Sequence, residues 1–323
     1  MKSPHWAQVL ALPWLCLQAA QIQGCPDDGS ASTASQAGSG GNKSSAANSH
    51  ETSEHFSFFV TSYAAMQRLS NSPDGFGGDL RYGEADGLTG ADKICTEIAE
   101  TSLHGAGAKG WRAFLSVTKG PNGEPVHAAD RIGQGPWYDR LGRLIAQNRE
   151  DLLNTRPQGA DSAIVDDLPN EDGVPNHAPD GEQVDNHDVL TGTNDKGQLF
   201  SMDRKYTCRD WTSPQGPEGT PRVGHSWPRS MNDRLPGGFG GAAGEGGRRR
   251  PNMPAAGGGA FTRAGRANSN LGPVDMANWM SSLNEAGCAP GASLVEMGPP
   301  DPNNPTVGSG GGYGAIYCFA LKP

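Results

Sequence analysis

Apolar positions along this chain come in short bursts, separated by polar runs rich in glycine and proline. FSFFVTS (56–62) is aromatic and β-branched and predicts a strand. RLSNSPDGFGGDLRYGEADGL reads as a turn-rich loop. From about Thr89, the residues Ala91, Ile94, Cys95, Ile98 and Ala99 recur at helical spacing, which predicts a helix with Cys95 on its inward face. LHGAGAKG ends that helix. GWRAFLSV (110–117) is the next strand, with Trp111, Ala113 and Leu115 on one side.

Further along, PWYDRLGRLIAQ (136–147) reads as a hairpin around Asp139–Gly142, and AQNREDLLN as a short helix carrying Leu152 and Leu153. DVLTGTNDKGQLF (188–200) reads as strand, turn, strand, and YTCRDWTS (206–213) as another short strand. ANWMSSLNEAGCAP (277–290) returns to order. In the last segment Tyr313, Ala315, Tyr317 and Phe319 alternate with Gly314, Ile316, Cys318 and Ala320, which predicts a core strand at the chain's end. Together these elements predict an α+β domain with a mixed, mostly antiparallel sheet, one main helix and long loops.

Two segments show no periodicity. Residues 26–55, mostly Ser, Gly, Ala and Asn, read as a flexible tether with a root-mean-square reach of about 30 Å. Residues 234–273 carry six Arg against one acid in a Gly/Ala background and read as a disordered insertion in a surface loop of the 56–323 domain. With Gly 47, Pro 25 and only 7% aromatics, the packed part amounts to one domain of about 200 residues. The net charge is −9; setting aside the insertion's excess of five positive charges leaves about −14. That balance argues against nucleic acid, polyanions or anionic lipid as main partners.

The N-terminus reads as an export signal. Met1 and Lys2 precede a short apolar stretch, WAQVLALPWLCLQAA (6–20), broken by Pro13 and too short to span a bilayer. Ile22-Gln23-Gly24-Cys25 resembles a bacterial lipobox, with Gln23 departing from the usual small residue. The resemblance implies a signal peptide over 1–25, a lipidated Cys25 and a protein held at the cell envelope, touching membrane only through that anchor. Behind such a signal, Cys95, Cys208, Cys288 and Cys318 read as two disulfides, for which four cysteines allow three pairings.

Catalytic signals are weak. His127 and His225 lie near no G-x-S-x-G serine motif, and H-E-x-x-H, a Walker loop and a strand-borne G-x-G-x-x-G are all absent.

The order of the motifs is specific in aggregate: G-L-x-G-A-D before the Cys-bearing helix, G-W-R-A-F-L-S, W-Y-D-x-x-G-R-L, L-T-G-T-N-x-x-G, C-R-D-W-T-S, A-G-C and I-Y-C-F. The series resembles the endostatin-like branch of the C-type-lectin-like fold, in particular bacterial exported proteins of unassigned function. The likeness covers roughly 56–233 and 274–320. It implies a pairing of Cys95 with Cys318 and of Cys208 with Cys288, and core positions for Trp111, Trp137 and Trp211.

It also implies that long loops, chiefly 157–195, present the ligand. That stretch holds ten Asp or Glu and no Lys or Arg. Asp166, Asp167, Asn170, Glu171, Asp172, Asp185, Asn186 and Asp188 supply the oxygen chemistry that Ca²⁺ takes, although the spacing matches no EF-hand loop. The Glu-Pro-Asn and Trp-Asn-Asp signatures of sugar-binding lectins are absent. His177 and His187, with Asp180, Asp185 and Asp188 nearby, offer a His/carboxylate zinc site, against the plainer reading of two solvent-facing loop histidines. Only His50 and His55 precede Phe56, so the endostatins' own zinc site does not carry over. The expected function is a non-catalytic, envelope-anchored binding module for a surface protein or glycan, with Ca²⁺ as an assisting ion. The rival expectations are a hydrolase acting on cell-surface polymer and a structural envelope protein without a discrete ligand.

Overall fold

A computed structural model describes residues 54–176, 187–227, 275–294 and 299–322. The expected signal peptide, Cys25, most of the expected tether and the expected Gly/Arg insertion lie outside them. The domain is α+β, with a mostly antiparallel sheet and few helices. Its spine is the terminal strand β8 (Gly312–Ala320), buried at all nine positions. β1 (Phe58–Val60) pairs antiparallel with it, Phe58 opposite Phe319. β2 (Trp111–Ala113) pairs antiparallel with the same end of β8, and β5 (Asp188–Leu190) pairs parallel with the earlier part. β6 (Arg222–His225) and β7 (Leu283–Asn284) extend the sheet antiparallel from β5. β3 (Trp137–Tyr138) and β4 (Leu144–Ala146) form the separate hairpin expected around Asp139–Gly142.

Aromatic residues fill the core because small and flexible residues dominate elsewhere. Phe56, Phe58, Phe59, Trp111, Trp137 and Phe319 are all buried, and their rings meet at centroid distances of 4.9–5.7 Å. Such pairs each add about 0.5–1.5 kcal/mol beyond area burial. Trp111, Trp137 and Trp211 are core residues, and Trp279 joins them.

Helix α1 (Tyr63–Ser70), capped by Ser62, occupies a stretch whose last residues read as loop. Helix α2 (Gly87–Ser102) starts where Asp86 caps the Thr89 amide, and it buries Ala91, Ile94, Cys95, Ile98 and Ala99 as its spacing predicts. It packs close to the loop before it. A Cβ on Gly90 would stand 2.1 Å from the carbonyl oxygens of Leu80 and Arg81, so only glycine fits. A short helix α3 (Arg149–Leu152) follows β4. Cys95 is bonded to Cys318, tying α2 to β8, and Cys208 to Cys288. No helix among the described residues is long and apolar enough to cross a membrane.

Two local readings are corrected. DVLTGTNDKGQLF forms only its first strand; its return is a turn with a single bridge between Thr193 and Leu199. YTCRDWTS is not a strand. Cys208, Arg209, Asp210 and Trp211 all have φ between 45° and 63°, a left-handed turn of four non-glycine residues. At about 1–2 kcal/mol per residue, such a turn persists only where its surroundings fix it. Here the Cys208–Cys288 bond holds one end. The Trp211 indole donates to the Ser116 carbonyl at 2.9 Å. Between them, Asp210 accepts from the Thr118 amide at 2.7 Å and the Thr118 hydroxyl at 2.9 Å.

Candidate functional site

Strands β5, β6 and β8 and the residues after β7 meet at one end of the sheet. Asp188 opens β5 and His225 closes β6; the antiparallel register sets them directly opposite each other. Asp188 is also paired to Gly312 at the start of β8. Glu285 follows β7, and the glycine-rich run Gly308–Gly312 wraps the carboxylates. A Cβ on Gly310 would stand 2.6 Å from Asp188 Oδ2 and 3.2 Å from Glu285 Oε1. This approach is why the turn carries no side chain there.

The side chains of His187, Asp188 and His225 are wholly buried. Asp188 Oδ1 lies 3.0 Å from His225 Nε2 and 3.4 Å from His187 Nε2. The two imidazole rings stand nearly perpendicular, 4.1 Å between centroids, with Trp227 edge-on to His187 at 5.4 Å. His225 Nδ1 is 2.9 Å from the Met276 carbonyl. A carbonyl only accepts, so Nδ1 carries the proton and donates it there. In the neutral ring, the lone pair therefore sits on Nε2, facing Asp188.

Glu285 completes the group. Its Oε2 accepts from the Ser309 hydroxyl and the Gly310 amide, each at 2.8 Å, and its carboxyl lies against Asp188. Burial, then the neighbouring Asp188 charge, holds the Glu285 carboxyl well above the ordinary carboxylate range.

Comparison with family models, curated proteins and solved structures gives no significant match. The chemistry of the site is therefore read from its own geometry. Ser282, His225 and Asp188 have the connectivity of a serine triad, with Ser282 Oγ 3.2 Å from His225 Nδ1. The proton count works against that role. Nδ1 already donates to Met276 and has no lone pair with which to take the serine proton, and Ser282 is itself buried. The N₂O donor set is instead suited to a transition-metal ion. Among the described residues, it is the one group of three or more His, Cys, Asp or Glu side chains whose ligand atoms converge, all within 4.8 Å of one another.

The residues expected to bind Ca²⁺ are placed differently. Asp166 and Asp172 are exposed. Asp167 is buried and accepts from the Asn176 amide at 2.9 Å. Asn170 Oδ1 accepts from the Asp172 and Val174 amides, each at 3.0 Å, closing its own turn. Asp188 sits in the sheet rather than in the loop. Asp180, Asp185, Asn186 and His177 lie outside the described residues. His187, which reads in the sequence either as a zinc ligand or as a solvent-facing loop histidine, is buried. Its partner His225 was singled out only as a histidine without a serine motif. The available signal was that N-H-D and G-H-S each border a short apolar strand.

Two depressions flank the left-handed turn. One, of about 230 Å³, is lined by Asp86, Leu88, Val117, Lys119, Arg204 and Thr212. The other, of about 470 Å³, is lined by Phe76, Asp79, Arg81, Tyr82, Glu84 and Pro214. Phe76 and Tyr82 meet edge to face at 5.4 Å, and Arg81 forks onto Asp79 at 2.9 and 2.5 Å.

Proposed function

We propose that this chain is an exported, envelope-anchored binding module that grips a surface protein or glycan without transforming it, built on a C-type-lectin-like domain. The observation that carries the reading is a separation. The converging polar cluster is sealed inside the sheet, whereas two accessible depressions among the described residues are lined mainly by loops. Their sizes bracket the lower end of small-molecule sites, about 300–1,000 Å³. Each therefore holds one group of a larger ligand: a sugar ring or a side chain. Two partly buried aromatic rings beside a fixed Arg–Asp fork suit a sugar face or a peptide end. The two disulfides suit an oxidising compartment outside the cytoplasm.

A glycan and surface-protein binding screen of the full chain tests this, with Tyr82→Ala and Arg81→Glu as comparisons. Saturable binding to the wild type, lost in both variants, is the expected result. Turnover of a cell-surface polymer by the purified chain would instead establish the hydrolase reading. Repeating the screen with millimolar Ca²⁺ and with chelator tests assistance at the acidic loop.

A further inference from the structure

We propose that His187, Asp188 and His225 bind one divalent transition-metal ion of the zinc class, and that this ion closes the sheet end as a structural staple. The inference goes beyond ligand binding and stands on the cluster alone. Zinc holds imidazole nitrogen at about 2.0–2.1 Å and carboxylate oxygen at about 2.0–2.2 Å. Two ligand atoms on a tetrahedral ion are then about 3.3 Å apart. The edges meeting at Asp188 Oδ1 measure 3.0 and 3.4 Å, and all three ligand atoms lie within 4.8 Å.

The tautomer supports the same conclusion. His225 Nδ1 is turned onto the Met276 carbonyl, the outer contact that orients a metal-ligating imidazole and directs its other nitrogen inward. A carboxylate oxygen 3.0 Å from that inward nitrogen needs either a proton or a cation between them. A proton on His225 Nε2 would join one pair of atoms; an ion would join three. The oxygen-poor donor set does not suit Ca²⁺, which takes six to eight oxygens.

Placement indicates the role. His187 and Asp188 stand at the start of β5 and His225 at the end of β6, opposite Asp188. The three ligands thus tie together the ends of two neighbouring strands that are distant in sequence. Full burial of all three keeps the ion away from solvent and from any substrate, which suits a structural role.

The test uses the untagged full chain, stripped of metal and titrated with Zn²⁺ and with Co²⁺. Expected are one equivalent bound, visible d–d bands from Co²⁺ and a raised melting midpoint. Asp188→Asn and His225→Gln should each weaken binding by at least about 100-fold, since even outer partners of a metal ligand change affinity by about 10–100-fold. Overturning results are a natively folded wild type that takes up no metal, or Co²⁺ bands that survive in both variants and so report another location. Should the variants fail to fold, ¹⁵N spectra of the wild-type histidines decide. A His225 Nε2 that stays protonated with Zn²⁺ in excess defeats the proposal.

Discussion

Asp188 and His225 are register partners across β5 and β6, and their side chains meet at 3.0 Å with no exposure to solvent. Removing one member of a buried polar pair leaves the other desolvated without compensation, a loss of about 3–5 kcal/mol. Asp188→Ala should therefore lower the unfolding free energy by about that amount in urea titrations. A loss below about 1 kcal/mol would mean that the carboxylate is not what balances the two imidazoles. The expectation holds whether a proton or an ion joins the pair.

The disulfides close long loops, with sequence separations of 223 and 80 residues. In the chain-entropy picture a loop of about 100 residues is worth about 4.7 kcal/mol, and length enters only logarithmically. Reduction should thus lower stability by roughly 4.5–5.5 kcal/mol per bridge. Replacing Cys95 and Cys318 with alanine should be the more damaging change of the two, because that bridge closes the longer loop and because freeing the strained turn at Cys208 relaxes the chain there. Calorimetry on both double variants checks the order. A Cys208/Cys288 pair that matters more would mean that the left-handed turn is held for contacts worth more than its strain.

The parts of this fold that were legible in the sequence are those fixed locally. Helix α2 announced itself because Ala91, Ile94, Cys95 and Ile98 recur with its period, and β8 because aromatic residues alternate through it. Helix α1 escaped because it is short and buries chiefly Ala65 and Met66, too few positions to show a period. The C-R-D-W turn was misread as a strand. Its conformation opposes the local preference of all four residues and is imposed by Cys288, Thr118 and Ser116, all distant in sequence. The His187–Asp188–His225 cluster was half legible: the first two lie together in the acidic stretch, but His225 reaches them only through strand register, which residue spacing does not encode. The expected second strand of 188–200 failed because Gly192 and Gly197 adopt positive φ and turn the chain away.

Glu171 links the start of α1 to the acidic loop, accepting from the Ser62 amide at 2.9 Å and the Ser62 hydroxyl at 2.5 Å. Burial raises its carboxyl above the ordinary value of 4.5, against the lowering effect of the Ser62 bonds. A raised folded-state value means that the folded protein binds more protons than the unfolded chain just above pH 4.5. The contribution of Glu171 to stability is therefore greatest below that pH and falls as pH rises through the folded value. Glu171→Gln should remove this slope, so the variant gains on the wild type as pH increases. Parallel urea titrations from pH 4 to 7 test the sign; a variant that loses ground to the wild type as pH rises would contradict it.

Gly90 sets two principles against each other. Alanine inside a helix is favoured over glycine by about 1 kcal/mol, but here its methyl group would stand 2.1 Å from two backbone carbonyl oxygens. Backbone does not rotate aside as a side chain does, so the steric effect wins. Gly90→Ala should destabilise the domain by about 3 kcal/mol or more, the upper range for overpacking. An unchanged melting midpoint would mean that α2 does not press on the Leu80–Arg81 loop.

Arg209 offers the opposite test, a substitution to glycine that should stabilise. It stands at φ 60° within the left-handed turn, and its side chain is exposed. Its 3.2 Å pair with Glu218 lies at the surface, where such pairs contribute about 0–1 kcal/mol. Glycine adopts this backbone region without the roughly 1–2 kcal/mol that a side chain adds there. It also gives the unfolded chain more freedom, which offsets about 0.4–1 kcal/mol. Arg209→Gly should therefore come out between neutral and about 1 kcal/mol more stable, although it deletes a charged side chain and an ion pair. The same change at Asp210 should destabilise, because Asp210 holds Thr118 and Arg204 in place. Thermal melts of the two variants should thus move apart. If both fall together, the turn is held by its side chains at every position rather than strained at Arg209.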